Sequence, residues 1–339
     1  MTDKLNFQAK LWKWLPLLLG SILIALLVSN CGAEQPKVYR VGILNGFTPF
    51  GDIAEGFKAK MTDLGYVEGQ NIVYDVQESN FDPAEEERIV KQFVTDKVDL
   101  IFTFATEAAI SAKTSTAGTD IPVVFAFAVL EGNDLIESVR QPGGNITGVR
   151  FPGPELSVKR FEILHRLAPQ AKRVGIIYNS NYPANKSQLE ALHPAASTVG
   201  ITLVEIPVNS VADIEADLQE RAAATDIGLD AILIITDDLS QSPDGWPMIS
   251  QFAAEHHIPI AGSAAFEADT GAILSYIPDS FETGGLAAPL ADKILKGTPV
   301  GTIPVITPEA RLRLNYTLAE ELGLLMDKGL LSQAVEIIR

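Results

Sequence analysis

Hydroxyls, amides and carboxylates stand at the ends of apolar runs in this 339-residue chain. The stretch "IFTFATEAA" (101–109) passes from an apolar run through Ala-Thr-Glu into a helix-forming segment, and "AILIITDDLS" (231–240) does the same through Thr236-Asp237-Asp238. Other run ends carry Asn45-Gly46-Phe47-Thr48, Phe127-Ala128, Tyr178-Asn179-Ser180-Asn181 and Gly262-Ser263. Such groups suit reversible capture of a small molecule. Helix amino ends accept anionic groups, so the Thr48 and Thr106 loops can hold a carboxylate. Asp237 can pair with an ammonium group, while Phe47, Phe127 or Tyr178 can cover an apolar side chain. Asn45, Asn179, Thr236 and Ser263 add hydrogen-bonding capacity. Thr106 and Asp237 read equally well as helix N-caps, and Phe127 as core.

Reactive constellations are missing from the sequence. It has no G-x-x-x-x-G-K-[ST], no G-x-S-x-G elbow and no G-x-G-x-x-G after the first strand. Its four histidines, His165, His193, His256 and His257, lack metal-ligand spacing. The expectation is therefore a chain with no catalytic residues, no metal and no cofactor. A net charge of −17 without a basic cluster argues against nucleic acid as a partner.

Elements that would position these groups are legible in the patterning. Short β-branched runs, "YRVGIL", "NIVYDV", "VDLIFTF" and "IPVVFAF", alternate with helical segments such as 52–64 and 84–96. Continuous apolar runs of this length are what strands buried on both faces look like, and their alternation with helices predicts parallel βαβ units. The pattern then recurs. "YRVGIL" (39–44) is matched by "KRVGII" (172–177), "KVDLIFTFATEAA" (97–109) by "GLDAILIITDDLS" (228–240), and "DIPVVFAFA" (120–128) by "HIPIAGSAA" (257–265). A period of about 130 residues is too long for a solenoid and indicates two similar lobes.

Gly- and Pro-rich segments at 141–155, 271–280 and 297–307 read as crossings between the lobes. The fold class is thus α/β: two Rossmann-like lobes with parallel sheets joined by a three-segment hinge. The expected division is 37–147 plus 278–300 for the N-terminal lobe and 148–277 plus 301–339 for the C-terminal lobe. In open sheets of this type ligands bind outside the strand carboxyl ends, which places the polar groups above in the cleft.

Residues 1–30 form a separate category. Lys4, Lys10 and Lys13 precede the apolar run "LPLLLGSILIALLVSN", which ends at Cys31, the chain's single cysteine. Basic flank, short apolar core and a break at small residues describe a secretory signal. The cysteine directly after it resembles a bacterial lipoprotein signal, with residues 31–36 as linker and Cys31 as the acylated residue. Asn30 departs from the usual small residue at that place, and an uncleaved signal anchor is the other reading.

The phrases "EGFKAKMTDLGYVEGQNIVYDVQESNFDP" (55–83), "PGGNITGV" (142–149), "LAPQAKRVGIIYN" (167–179) and "LDAILIITDD" (229–238) resemble the lipoprotein substrate-binding components of ABC importers. The similar branch is the one whose better-known members take aromatic amino acids such as tryptophan. That resemblance implies a type I periplasmic-binding-protein fold, an ABC permease as partner, and a monomer anchored by lipid at the outer face of the cytoplasmic membrane. It implies that Thr106 matches the family's "AT-x-A" turn and Thr236-Asp237 its "P-T-D" turn. Ala128-Val129-Leu130-Glu131 and Gly262-Ser263-Ala264-Ala265 stand where the family is more polar, which tilts the ligand toward an apolar or aromatic amino acid. A ligand-sensing lipoprotein that presents its closed form to a signalling partner is the alternative.

Overall fold

The protein is described here from a computed structural model covering residues 37–46 and 51–339. Phe47, Thr48 and Cys31 lie outside the described residues. The apolar runs form strands as their composition predicts: β1 (Tyr39–Asn45), β3 (Leu100–Phe104) and β4 (Val123–Ala128) are buried along nearly their whole length. With β2 (Ile72–Glu78) and β5 (Ile146–Arg150) they make a sheet of order β2-β1-β3-β4-β5, parallel throughout. Helices α1 (Asp52–Asp63), α2 (Pro83–Thr95) and α3 (Thr106–Ser115) cover it. Alternate residues of each strand supply opposite faces. Val41, Ile43 and Phe102 pack with Ile53 and Phe57 of α1, and Ile101, Val123 and Phe125 with Ile89 and Phe93 of α2. Phe57 stacks on Phe102 at 4.2 Å between centroids.

The second sheet repeats the first. Strands β6 (Arg173–Asn179), β7 (Thr202–Val208), β8 (Ala231–Leu233) and β9 (Ile260–Gly262) run in the order β9-β8-β6-β7, the counterpart of β4-β3-β1-β2. The three internal sequence matches therefore fall on equivalent strands. Helices α4 (Gly153–Leu167) and α5 (Asn185–Thr198) cover one face, α6 (Val211–Ala223) and α7 (Gly245–Glu255) the other.

Past β9 the second sheet departs from a purely parallel expectation. The short helix α8 (Ala265–Thr270) leads to β10 (Leu274–Pro278), which joins β9 in parallel. Beyond it, β11 (Ala310–Asn315) is antiparallel to β10, and β12 (Ala334–Ile338) is parallel to β11. The cause lies in the crossings. Strand β10 runs toward the hinge, and α9 (Ser280–Leu295) then packs on α1 of the first lobe. A chain that returns from the hinge has to run back the opposite way. Helices α10 (Tyr316–Glu321) and α11 (Lys328–Leu331) complete this end.

Backbone pairing extends the first lobe beyond the expected boundaries at 147/148 and 300/301. Arg150 N donates to Ile306 O at 2.8 Å and Ile306 N to Gly148 O at 3.0 Å, while Gly143 N donates to Gly301 O at 3.1 Å. By hydrogen bonding, Gly148–Arg150 and Gly301–Ile306 thus belong with the first sheet. Side chains fasten the crossings: Arg150 Nε donates to Thr307 Oγ1 at 3.1 Å, and its Nη1 pairs with Glu131 at 2.7 Å. Arg150 also pairs with Glu155 at the start of α4. Arg311 reaches back to Glu282 and Asp279 beside the second crossing. Among the described residues no helix is long and apolar enough to cross a membrane.

Candidate functional site

Strand order reverses between β1 and β3 in the first sheet and between β6 and β8 in the second. Chain connections leave in opposite directions at such a switch point and open a crevice above it. Asn45 and Thr106 stand at the first switch, Asn179 and Asp237 at the second.

In the first lobe, Asn45 is 2% exposed and its Nδ2 donates to Glu78 Oε1 at 3.3 Å. Ala105, between β3 and α3, has φ +81°, a conformation that costs a side-chain-bearing residue about 1–3 kcal/mol. Thr106 is the first residue of α3 and buried. Its hydroxyl does not cap the helix. It accepts a hydrogen bond from Val129 N at 3.2 Å, tying the mouth of β3 to that of β4. Phe127 sits in an irregularity of the β4–β5 pairing with φ +54°, and its ring packs on Phe151 at 4.9 Å within the first-lobe core.

In the second lobe, Asp237 is 2% exposed and fully engaged. One carboxyl oxygen accepts from Leu239 N (3.0 Å) and Ser240 N (2.7 Å), the other from Asn179 N (2.6 Å) and Asn185 Nδ2 (2.8 Å). A carboxylate offers about four lone-pair sites, so this one has none left for an ammonium. It closes the turn after β8 and also ties that turn to β6. Its neighbour Asp238 is the accessible one. Both Asp238 oxygens accept from Asn179 Nδ2, at 2.9 and 3.0 Å. Thr236 is held by its main chain: Thr236 N donates to Gln188 Oε1 at 3.1 Å and its carbonyl accepts from Gln188 Nε2 at 3.1 Å. The Thr236 hydroxyl is buried without a hydrogen-bond partner.

Two candidates face elsewhere. Tyr178 packs against the core under α5, and its hydroxyl donates to Glu205 Oε2 at 3.1 Å on β7. Strand alternation puts its side chain on the face opposite that of Ile177. Ser263 is 1% exposed, donating from its hydroxyl to Ile235 O at 3.3 Å and from its N–H to Glu267 Oε2 at 2.5 Å. Ser263 therefore belongs to the wall behind the cleft.

Three groups outside the candidate set complete the arrangement. Glu107 stands at the start of α3, with both carboxyl oxygens shielded from solvent. Tyr182, in the loop after β6, lies edge-on to Phe81 at 6.2 Å. Arg160 of α4 is fully buried; it donates to Ser157 Oγ at 3.0 Å and to Ser263 O at 3.5 Å. For Arg160 the sequence does carry a signal, because it interrupts the apolar stripe Leu156, Arg160, Leu164, Leu167 of α4. Tyr182 precedes Pro183 in a loop, where patterning says nothing about a partner in the other lobe.

The electrostatics are one-sided. Burial pushes the Glu107 carboxyl up to about 8, Glu86 up to about 7 and Asp238 up to about 6, with like charges adding to each. Burial also raises Asp237, against its hydrogen bonds, and takes Glu267 to about 7. Among the described residues no Lys, Arg or His forms an ion pair with Glu86, Glu107, Asp237 or Asp238, and no cluster of three or more His, Cys, Asp or Glu could hold a metal ion.

Raised acids make the folded state hold protons that the unfolded chain has released. Their destabilisation is absent below about pH 4.5 and grows as pH rises through each folded value. Ligand-free protein should therefore melt at its highest temperature near pH 5 and lose stability up to about pH 8. Each group in its window contributes about 1.4 kcal/mol per pH unit. A melting temperature that is flat or rising between pH 5 and 8 would contradict the burial of these carboxyls.

A family model described as ABC transporter substrate binding protein matches residues 50–338. The chain belongs to that family. Membership in this family of ABC transporter substrate-binding proteins makes it a binding protein and not an enzyme. It is 33% identical over 257 residues to a tyrosine-binding protein of Clostridioides difficile (strain R20291), spanning 75% of this chain and 71% of that protein. Among solved structures it is similar to a domain from Streptococcus pneumonia in complex with L-Trp (TM-score 0.80, 24% identity, 89% of this chain and all of that one). A conserved domain protein of Vibrio cholerae gives TM-score 0.80 at 26% identity, with the same coverage of both chains. These structures share the two-lobed α/β fold.

Proposed function

We propose that this substrate-binding protein captures an α-amino acid with an aromatic side chain between its lobes, outside the cytoplasmic membrane, and delivers it to an ABC permease by hinge closure. The observation that carries the reading is the meeting of two switch points that supply a carboxyl each, Glu107 and Asp238, with no Lys, Arg or His among the described residues paired with either. An ammonium group supplies the missing charge. Asp238 takes the role expected of Asp237, whose acceptor sites are filled. Thr106, Thr236, Asn45 and Asn179 frame the polar end of the ligand, and Phe47 and Thr48, outside the described residues, are proposed ligand contacts of the first lobe. Phe127 shapes the wall from the core, while Tyr178 and Ser263 support the second-lobe mouth from behind. The tyrosine-binding relative and the tryptophan-bound neighbour both support an aromatic ligand. Cys31, as the acylated residue, supplies the anchor to the membrane.

The test uses residues 36–339, unfolded and refolded to remove carried-over ligand, in a melting-temperature scan against single amino acids. A ligand at a hundred times its dissociation constant adds about 2.7 kcal/mol of stability. Tyrosine or tryptophan should raise the melting temperature, and the same side chain on a molecule lacking the amino group should not. Equal shifts with and without the amino group would remove the ammonium reading. In the full-length chain, Cys31→Ala should move the protein from the detergent phase to the aqueous phase.

A further inference from the structure

The loop after β6 reaches across to the first lobe. Tyr182 and Ala184 are buried in the first-lobe core cluster with Val129, Phe151 and Ile53, and Tyr182 meets the Phe81 ring at an interplanar angle of 90°. Pro183 lines a pocket of about 430 Å³ together with Pro83, Glu86, Glu87, Glu107 and Ile110 of the first lobe. The Tyr182 phenol lies beside the Glu107 carboxyl, whose two oxygens are shielded from solvent. The charged groups acting most strongly on that carboxyl are acids: Glu86 from α2 and Asp238 from the turn after β8, with Asp237 acting on Tyr182 from the same turn. An ionised Glu107 enclosed there would be an uncompensated buried charge, which proteins avoid by keeping the group neutral. Protonated, it has a hydroxyl to donate and a carbonyl oxygen to accept from the phenol.

We propose that Glu107 and Tyr182 form a latch between the lobes that closes only with a proton on Glu107, so that closure of the ligand-free protein takes up one proton. The proposal rests on the reading of the two lobes as a closing cleft. The proton moves from solvent to one carboxylate oxygen of Glu107 as the Tyr182 ring covers it, and returns to solvent when the loop lifts. The elevated Glu107 value of about 8 places the changeover within reach of experiment. A ligand ammonium beside Asp238 screens the same cluster, so ligand-bound protein should remain closed to higher pH.

Small-angle X-ray scattering on ligand-free protein from pH 6 to 9.5 tests this directly. The radius of gyration should increase with a midpoint near pH 8. In Glu107→Gln, which keeps the shape and removes the charge, it should stay at the compact value throughout. Tyr182→Phe, which keeps the ring, should retain the transition with a higher midpoint, because the phenol hydroxyl favours the ionised carboxyl and its loss leaves Glu107 more readily protonated. A radius independent of pH in the wild type overturns the latch, as does an unchanged transition in Glu107→Gln. Circular dichroism on each sample separates lobe opening from unfolding. No ligand is added, so a failed latch leaves the importer reading untouched, and a failed ligand scan leaves the latch untouched.

Discussion

Asp237→Ala is expected to lower the stability of the protein by about 3 kcal/mol at pH 7, and Asp238→Asn to leave stability unchanged or slightly higher while ligand affinity falls about 10- to 100-fold. The two residues are neighbours of the same chemical type, yet their surroundings differ. Asp237 accepts four hydrogen bonds from two separate segments, so alanine strands the N–H groups of Asn179, Leu239 and Ser240 and the amide of Asn185 in the interior. Unpaired buried donors cost about 1–3 kcal/mol each, softened where water enters. Asp238 is held by one asparagine amide and pays for its charge through burial and through the charge of Asp237. Asparagine keeps an acceptor for Asn179 and removes the repulsion, so the fold loses nothing. What it loses is the charge that an ammonium ligand would use. Urea unfolding midpoints and calorimetric titration of the same two variants decide the matter. A stable Asp237→Ala that has lost affinity would reverse the roles assigned here.

Gly284→Ala and Gly56→Ala should each cost about 3 kcal/mol, and Gly285→Ala should cost nothing or stabilise by up to about 1 kcal/mol. Helices α1 and α9 cross with their backbones in contact. A methyl group on Gly284 would stand 1.9 Å from Ile53 O, and one on Gly56 would stand 1.9 Å from Phe281 O. Those obstacles are main-chain carbonyls, which cannot rotate aside, so the helices must separate and open the core around Ile53 and Phe57. Gly285 points away: its methyl would find the nearest atom at 3.9 Å, and alanine there gains helix propensity. Thermal melts of the three variants give a control within one turn of helix. Equal effects at 284 and 285 would mean that the close approach is absent. Because α9 follows the second crossing, its seating on α1 also fixes where one strand of the hinge is anchored.

The internal repeat made most of the architecture legible in the sequence. Strand words such as "YRVGIL" and "KRVGII" fall on β1 and β6 because an apolar run long enough for a doubly covered strand has few other uses. The ends of these runs also placed Asn45, Thr106, Asn179 and Asp237 at strand carboxyl ends. Patterning could not tell that β11 runs antiparallel, since direction is imposed by where the chain re-enters the lobe. Nor could it separate Tyr178 from Asn179, because adjacent strand residues face opposite sides and only packing decides which side is the cleft.

The sequence by itself determined two parallel α/β lobes, the crossings between them, the polar strand mouths and the family. Those features are local or periodic, and local propensity and hydrophobic spacing are written residue by residue. Tertiary structure alone decided that Asp237 is spent on the fold while Asp238 stays available, that Glu107 of one lobe meets Tyr182 of the other, and that Gly56 and Gly284 must lack side chains. Each depends on groups 52 to 231 positions apart along the chain or on the hydrogen bonds a carboxylate has already accepted. Proximity of that kind is a property of the packed chain, and no residue type announces it.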